Sequence, residues 1–206
     1  MHFEVEIIKA LQSIRNSVFD YLFDAYAALG TVWIVIIVGL LVFFLYDKKI
    51  AVLFGLCEGA AALTSLVIKH VVKRPRPFVS NSDIVNIGLE KGYSFPSGHL
   101  TSSIVIAVFV LFLCFHVFKR RGKIVSAVLI ALYLLLMILD RMYLGVHYLT
   151  DTLAGIAVGG IWAAVALMFL PEFSNLWNMI FGKFAKKGKQ QPAELEDSSH
   201  KNDSRN

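Results

Sequence analysis

Lys69, Arg76, His99, Arg141, His147 and Asp151 are the side chains of this 206-residue sequence whose types and spacing suit work on an anion. They fall in three segments. The first runs from Lys69 through Lys73-Arg74-Pro75 to Arg76-Pro77; the second is Pro96-Ser97-Gly98-His99; the third runs from Arg141 to His147 and on to Asp151. Pro-Ser-Gly ahead of a helix makes a turn whose free backbone amides face the positive helix end, a ready anion site at Ser97 and Gly98. Lys69, Arg76 and Arg141 add charge-assisted bonds to phosphate oxygens, and the two guanidiniums can do so with both prongs. His147 and Asp151 are four residues apart and share one face if a helix begins near His147. A carboxylate so placed holds one imidazole nitrogen protonated and leaves the other free as a nucleophile. His99 is then positioned to protonate a leaving oxygen and afterwards to activate water.

Plainer roles fit several other polar residues. His70 and His116 fall outside these segments and read as structural. Two histidines and an aspartate also suit zinc, but the surrounding lysines and arginines repel a cation and suit an anion, so no metal and no cofactor is expected. Lys73 and Arg74 fit either substrate contact or head-group anchoring. Glu58 lies in the middle of an apolar stretch, where a carboxylate is a functional candidate; a partner in a neighbouring helix is the preferred reading. Tyr93, Tyr143 and Tyr148 suit an interfacial aromatic belt.

The elements that must position these residues are read from composition. Hydrophobic residues make up 57% of the chain and charged ones 17%, against about 45–50% and roughly 25% in soluble domains. Residues 25–46, 50–68, 100–118, 124–139 and 153–170 are nearly free of formal charge, Glu58 being the exception. Each is close to the roughly 17–25 residues that cross a bilayer. The expected fold is all-α: a polytopic transmembrane helix bundle of about five spans plus an N-terminal amphipathic helix. Cys57 and Cys114 lie inside spans, so no disulfide framework is expected.

Orientation follows from basic residues. Lys48-Lys49, the run from Lys119 to Lys123, and Lys183, Lys186, Lys187 and Lys189 fall on one side of a five-span chain, which the positive-inside rule makes cytoplasmic. All three segments then face outward. The +5 formal charge is thus a topology signal, and no nucleic-acid partner is expected. An outward basic cluster of Lys69, Lys73, Arg74, Arg76 and Arg141 runs against the rule and points to an anionic ligand.

In residues 1–24 the apolar positions Phe3, Ile7, Leu11, Ile14, Val18 and Leu22 recur at helical steps. This stripe suits a helix lying in the interface or one packed on its neighbours. Residues 25–170 form the transmembrane domain. Residues 171–206 form a cytoplasmic tail, basic and then polar, for which disorder is expected. Gly155, Gly159 and Gly160 read as close helix packing.

The three segments in this order, each at a span boundary, resemble the signature motifs of the type 2 phosphatidic acid phosphatase superfamily, over about residues 69–151. The resemblance implies phosphate binding by Lys69, Arg76, Ser97, Gly98 and Arg141. It implies His147 as nucleophile, Asp151 as the carboxylate orienting it, and His99 as general acid. It also implies a phosphohistidine intermediate without divalent metal. The third motif of that family usually opens Ser-Arg, whereas this chain has Asp140-Arg141; a carboxylate there either pairs with Arg141 or repels substrate phosphate. Members commonly have six spans, and the first has no counterpart here.

The expected partner is a phospholipid or polyprenyl phosphate substrate. The expected location is the cell membrane, with the site extracytoplasmic. Undecaprenyl pyrophosphate is the first choice of substrate, with phosphatidylglycerol phosphate and phosphatidic acid as alternatives. A lipid-to-lipid phosphotransferase and a non-catalytic head-group binder are the readings from other classes.

Overall fold

The computed structural model describes residues 2–88 and 90–181. The helices that position the site follow in chain order: α1 His2–Gln12, α2 Ser17–Ala27, α3 Val32–Leu45, α4 Lys48–Val72, α5 Pro77–Ser80, α6 Gly98–Val117, α7 Arg120–Tyr143 and α8 Leu149–Met168. Four stretches, one of them α4 together with the short α5, are long and apolar enough to cross a membrane, and the bent pair α2–α3 makes a fifth if it is one span. The chain is a multi-pass membrane protein and its fold is an all-α bundle, as the composition leads one to expect. Leu56, Leu63, Val128, Leu132 and Ile161 are exposed on its outer surface. That is where side chains belong when lipid is the solvent, because only the backbone must be satisfied internally.

Helix ends are marked by residues suited to them. Asp47 caps α4, accepting from the Lys49 amide at 2.7 Å, and Asn16 caps α2 through the Val18 and Phe19 amides. Lys73 closes α4 in the left-handed conformation with its amide on the Lys69 carbonyl, and Pro75 prevents continuation. The helix α7 runs several residues beyond the uncharged stretch 124–139 at both ends. At its C-terminal end Asp140 and Arg141 pair with each other and stay helical although buried.

Within residues 1–167, one compact unit, α6 packs against both α4 and α7, and α3 against α4. Phe54 and Phe109 meet edge to face, with ring centroids 5.2 Å apart. Polar clasps join helices where no water can compete: Trp162 donates to Thr64 at 2.9 Å and Tyr133 to Ser103 at 2.8 Å. A Cβ at Gly155 or Gly159 would collide with the backbone carbonyls of Ser97 and Thr101, so α8 and the start of α6 touch backbone to backbone; one at Gly160 would meet only Ile104, at 4.0 Å. Glu58 is buried, with Ser102 of α6 beside it.

The N-terminal segment differs from a single continuous helix. It breaks at residues 13–16, which resets the helical phase. Phe3, Ile14, Val18 and Leu22 are exposed, while Glu4 and Ile8 are buried. Packing is therefore the outcome for α1. Ile8 sits in a cluster with Ile84, Met142 and Tyr148. Gln12 is the polar rivet, donating to the Val85 and Tyr143 carbonyls and accepting from the Val85 amide.

The described residues from 168 onward belong to a second unit. Residues 170–181 are helical, with Phe173, Trp177 and Phe181 side by side at centroid distances of 6.1 and 4.5 Å. The basic run from Lys183 and the polar tail beyond it lie outside the described residues.

Candidate active site

Four helix ends bring the three segments together: the ends of α4 and α7 and the beginnings of α6 and α8. Each presents its residues through a local device. Ser97 is fully buried and caps α6, while its own amide donates to the Asp151 carbonyl at 2.9 Å. This bond ties the second segment to the third. It also commits the Ser97 amide, so the first-turn amides of Gly98 and His99 are the ones left for an anion.

After α7 the chain reverses at Gly145, whose φ of +75° any other residue would adopt under strain. A Cβ there would also strike the Val85 carbonyl. The reversal lets the Arg141 carbonyl accept from the amides of Val146 and His147, which turns the imidazole inward.

Two guanidiniums and two imidazoles close on a single carboxylate, that of Glu90. One of its oxygens lies 2.8 Å from Arg76 Nη1 and the other 2.8 Å from Arg141 Nη1. His99 Nδ1 is 3.6 Å and His147 Nε2 is 3.8 Å from the same carboxylate. Arg76 is held further by the carbonyls of Lys91, Gly92 and Val146. Asp140 is buried and pairs with Arg141 Nη2 at 2.6 Å, which settles its alternatives in favour of pairing. Lys69 donates to the Tyr93 carbonyl at 3.1 Å, close enough to Glu90 and Asp151 to feel both charges.

His147 is almost fully buried. Arg76 Nη1 stands 3.5 Å from its Nε2, and a guanidinium can only donate. That assigns the lone pair to Nε2 and the proton to Nδ1. Nδ1 lies 3.6 Å from Asp151 Oδ2, slightly beyond a hydrogen bond, a gap of the kind that closes when a site takes its ligand. Burial lowers the His147 pKa, the carboxylates of Asp151 and Glu90 pull it back up, and Arg76 lowers it further; the net shift is down. The ring is neutral at pH 7. For Glu90, burial alone would raise the carboxyl, but the surrounding positive groups outweigh it and hold the pKa below the usual range.

Three residues outside the expected set join this site. Glu90 is one, and no spacing rule marks a lone carboxylate in a loop. Arg74 is the second: it pairs with both Asp151 and Glu4 and lies over the Tyr148 ring at 4.0 Å. Its charged partners in this structure are internal. The third is Glu4, which also accepts from the amide and hydroxyl of Thr150. The sequence signal for Glu4 was the buried phase of α1, hidden by the break at 13–16. Lys73 stays exposed. Tyr143 and Tyr148 are buried rather than interfacial, because the α1 and α2 segments cover them. His70 and His116 bond to carbonyls of their own helices, in keeping with structural roles.

The site is thus a membrane helix bundle that gathers two imidazoles and two guanidiniums around one carboxylate, beside the N-terminus of α6. The chain belongs to the PAP2 superfamily, whose pattern matches residues 50–174. It is 31% identical over 128 residues to phosphatidylglycerophosphatase B of Bacillus subtilis, a match covering 61% of each chain. The chain thus spans about three fifths of the length of that relative. It is 29% identical over 177 residues to the undecaprenyl-diphosphatase BcrC of the same organism, covering 83% of this chain and 84% of the relative. The crystal structure of a transmembrane PAP2-type phosphatidylglycerolphosphate phosphatase from Bacillus subtilis superimposes with a TM-score of 0.71 at 27% identity, over 83% of this chain and 86% of that one.

Proposed function

We propose that this protein is a metal-independent lipid phosphatase that works through a phosphohistidine, with its site on the extracytoplasmic side. The observation that carries the reading is the flanking of one anion position by His99 and His147, with Arg76 and Arg141 bonded to that anion.

In the first step, the lone pair on His147 Nε2 attacks the terminal phosphorus and the bond from phosphorus to the lipid oxygen breaks. His99 supplies the proton to that oxygen. Arg76 and Arg141, with Lys69 and the Gly98 and His99 amides, stabilise the equatorial oxygens as charge develops. In the second step, His99 takes a proton from water, the water oxygen bonds to phosphorus, and the phosphorus–nitrogen bond breaks. Phosphate leaves, and both imidazoles return to their starting state. Asp151 acts throughout by keeping the Nδ1 proton in place.

The outward orientation is supported by Lys48, Lys49 and the run from Lys119 to Lys123, which occupy the helix ends opposite the site. Undecaprenyl pyrophosphate is the first substrate, supported by similarity to an undecaprenyl-diphosphatase over 83% of this chain. Phosphatidylglycerol phosphate is the second, supported by the similarity in sequence and structure to phosphatases of that lipid.

The test is phosphate release by purified protein in detergent from undecaprenyl pyrophosphate, phosphatidylglycerol phosphate and phosphatidic acid, with EDTA present. We expect release from at least one lipid, abolished in His147→Ala, and a labelled protein trapped by alkaline quench when the lipid carries labelled phosphate. Wild-type release by His147→Ala overturns the mechanism. Label passing to a second lipid instead of to water would make the protein a phosphotransferase.

A further inference from the structure

Glu90 occupies the position that the mechanism reserves for substrate. A phosphoryl group attacked by His147 and released toward His99 must lie between the two rings and bond to Arg76 and Arg141. The Glu90 carboxylate already occupies that place, ion-paired at 2.8 Å with both guanidiniums and with both imidazole nitrogens within 4 Å. Carboxylate and phosphate cannot share that volume. The loop that delivers Glu90 is itself seated on the pocket, because the carbonyls of Lys91 and Gly92 accept from Arg76. Gly92, two residues on, holds a φ of +75° that favours glycine.

We propose, resting on the phosphatase reading above, that Glu90 is a specificity-determining residue: a resident carboxylate that a dianionic terminal phosphate displaces and a monoanionic phosphodiester does not.

The argument is one of matched charge and valence. A carboxylate offers one negative charge and two oxygens to the two guanidiniums. A phosphodiester, the form of bulk membrane head groups, offers the same charge and the same number of free oxygens. It must also surrender its freedom on binding, whereas Glu90 is tethered and present at high effective concentration. The diester therefore loses the exchange. A terminal phosphate brings about −1.5 to −2 charges and three strong acceptor oxygens. The third oxygen reaches the Gly98 and His99 amides, which Glu90 leaves unused, so the exchange favours the dianion. In a bilayer where diesters vastly outnumber terminal phosphates, such a residue keeps the pocket from filling with the wrong lipid.

The experiment compares the full chain in detergent with Glu90→Gln, which keeps the shape and loses the charge, and with Glu90→Ala. Two probes are titrated by phosphorus NMR and by thermal shift: inorganic phosphate and dimethyl phosphate. Wild type is expected to bind phosphate and to ignore dimethyl phosphate. Both variants are expected to bind dimethyl phosphate on the order of tenfold more tightly than wild type, with a smaller ratio between the two probes.

If dimethyl phosphate binds the variants no better than wild type while phosphate binding and lipid hydrolysis persist, the inference fails and the phosphatase reading stands. If the variants keep wild-type thermal stability but lose phosphate affinity and turnover together, Glu90 belongs to the catalytic machinery and the inference is overturned. If wild type and variants bind no phosphate and hydrolyse no lipid phosphate, the phosphatase reading falls and takes the inference with it.

Discussion

Arg74 and Asp151 are ion-paired although 77 residues separate them in the chain. The pair joins the turn after α4 to the first turn of α8, and Asp151 is the carboxylate that faces the nucleophile candidate His147. Its second oxygen accepts from the Tyr148 amide at 2.9 Å. Both oxygens of Asp151 are therefore anchored, and Arg74 sets the angle at which the carboxylate meets the imidazole.

Replacing Arg74 by Ala leaves Asp151 buried and unpaired. Loss of one partner of a buried pair costs about 3 kcal/mol or more, so we expect a lower thermal midpoint in detergent. Arg74 does not touch the anion position, so the fall in activity should lie in kcat with KM little changed. Arg74→Lys should not restore it, because one ammonium cannot hold Asp151 and Glu4 together over the Tyr148 ring. Steady-state kinetics on both variants decide this, and a pure KM effect would place Arg74 on substrate instead.

Glu4 should act through Arg74. Glu4→Gln keeps an acceptor for the Thr150 amide but removes the ion pair, so its effect on kcat should be smaller than that of Arg74→Ala. The two should also be non-additive, since they share a partner. A double-mutant cycle that came out additive would uncouple α1 from the site.

The pH dependence follows from His147. Its pKa is depressed, first by burial, so the neutral ring persists as pH falls through about 6.5, the value for a free imidazole. On the acid side kcat/KM should therefore stay level down to that pH and decline only below it, at the pKa of the buried ring. An acid limb centred above the free-imidazole value would contradict the nucleophile assignment.

Gly159 and Gly160 give a packing contrast within one turn of α8. Gly159→Leu must push α8 away from the Thr101 carbonyl of α6 and should cost about 2–3 kcal/mol. Gly160→Ala, whose Cβ would approach nothing nearer than 4.0 Å, should be neutral in the same thermal assay.

The bundle itself was legible from composition, because in lipid any long uncharged stretch has only the helix open to it. The motif residues were legible as well: Arg76, His99, Arg141, His147 and Asp151 gather at one end of the bundle, as their places at span boundaries imply. Local chemistry does not encode which partner each one takes. Arg74 and Arg76 sit two residues apart in the same Arg-Pro repeat, yet one turns to Asp151 and the other to the anion position. That choice depends on the left-handed turn at Lys73 and on where α8 begins. Glu90 lies in an irregular loop with no period to betray its direction, and it meets Arg76 and Arg141 only because that loop folds back over their helix ends. Periodicity reports which way a side chain points within a regular element; it carries nothing about partners delivered by loops.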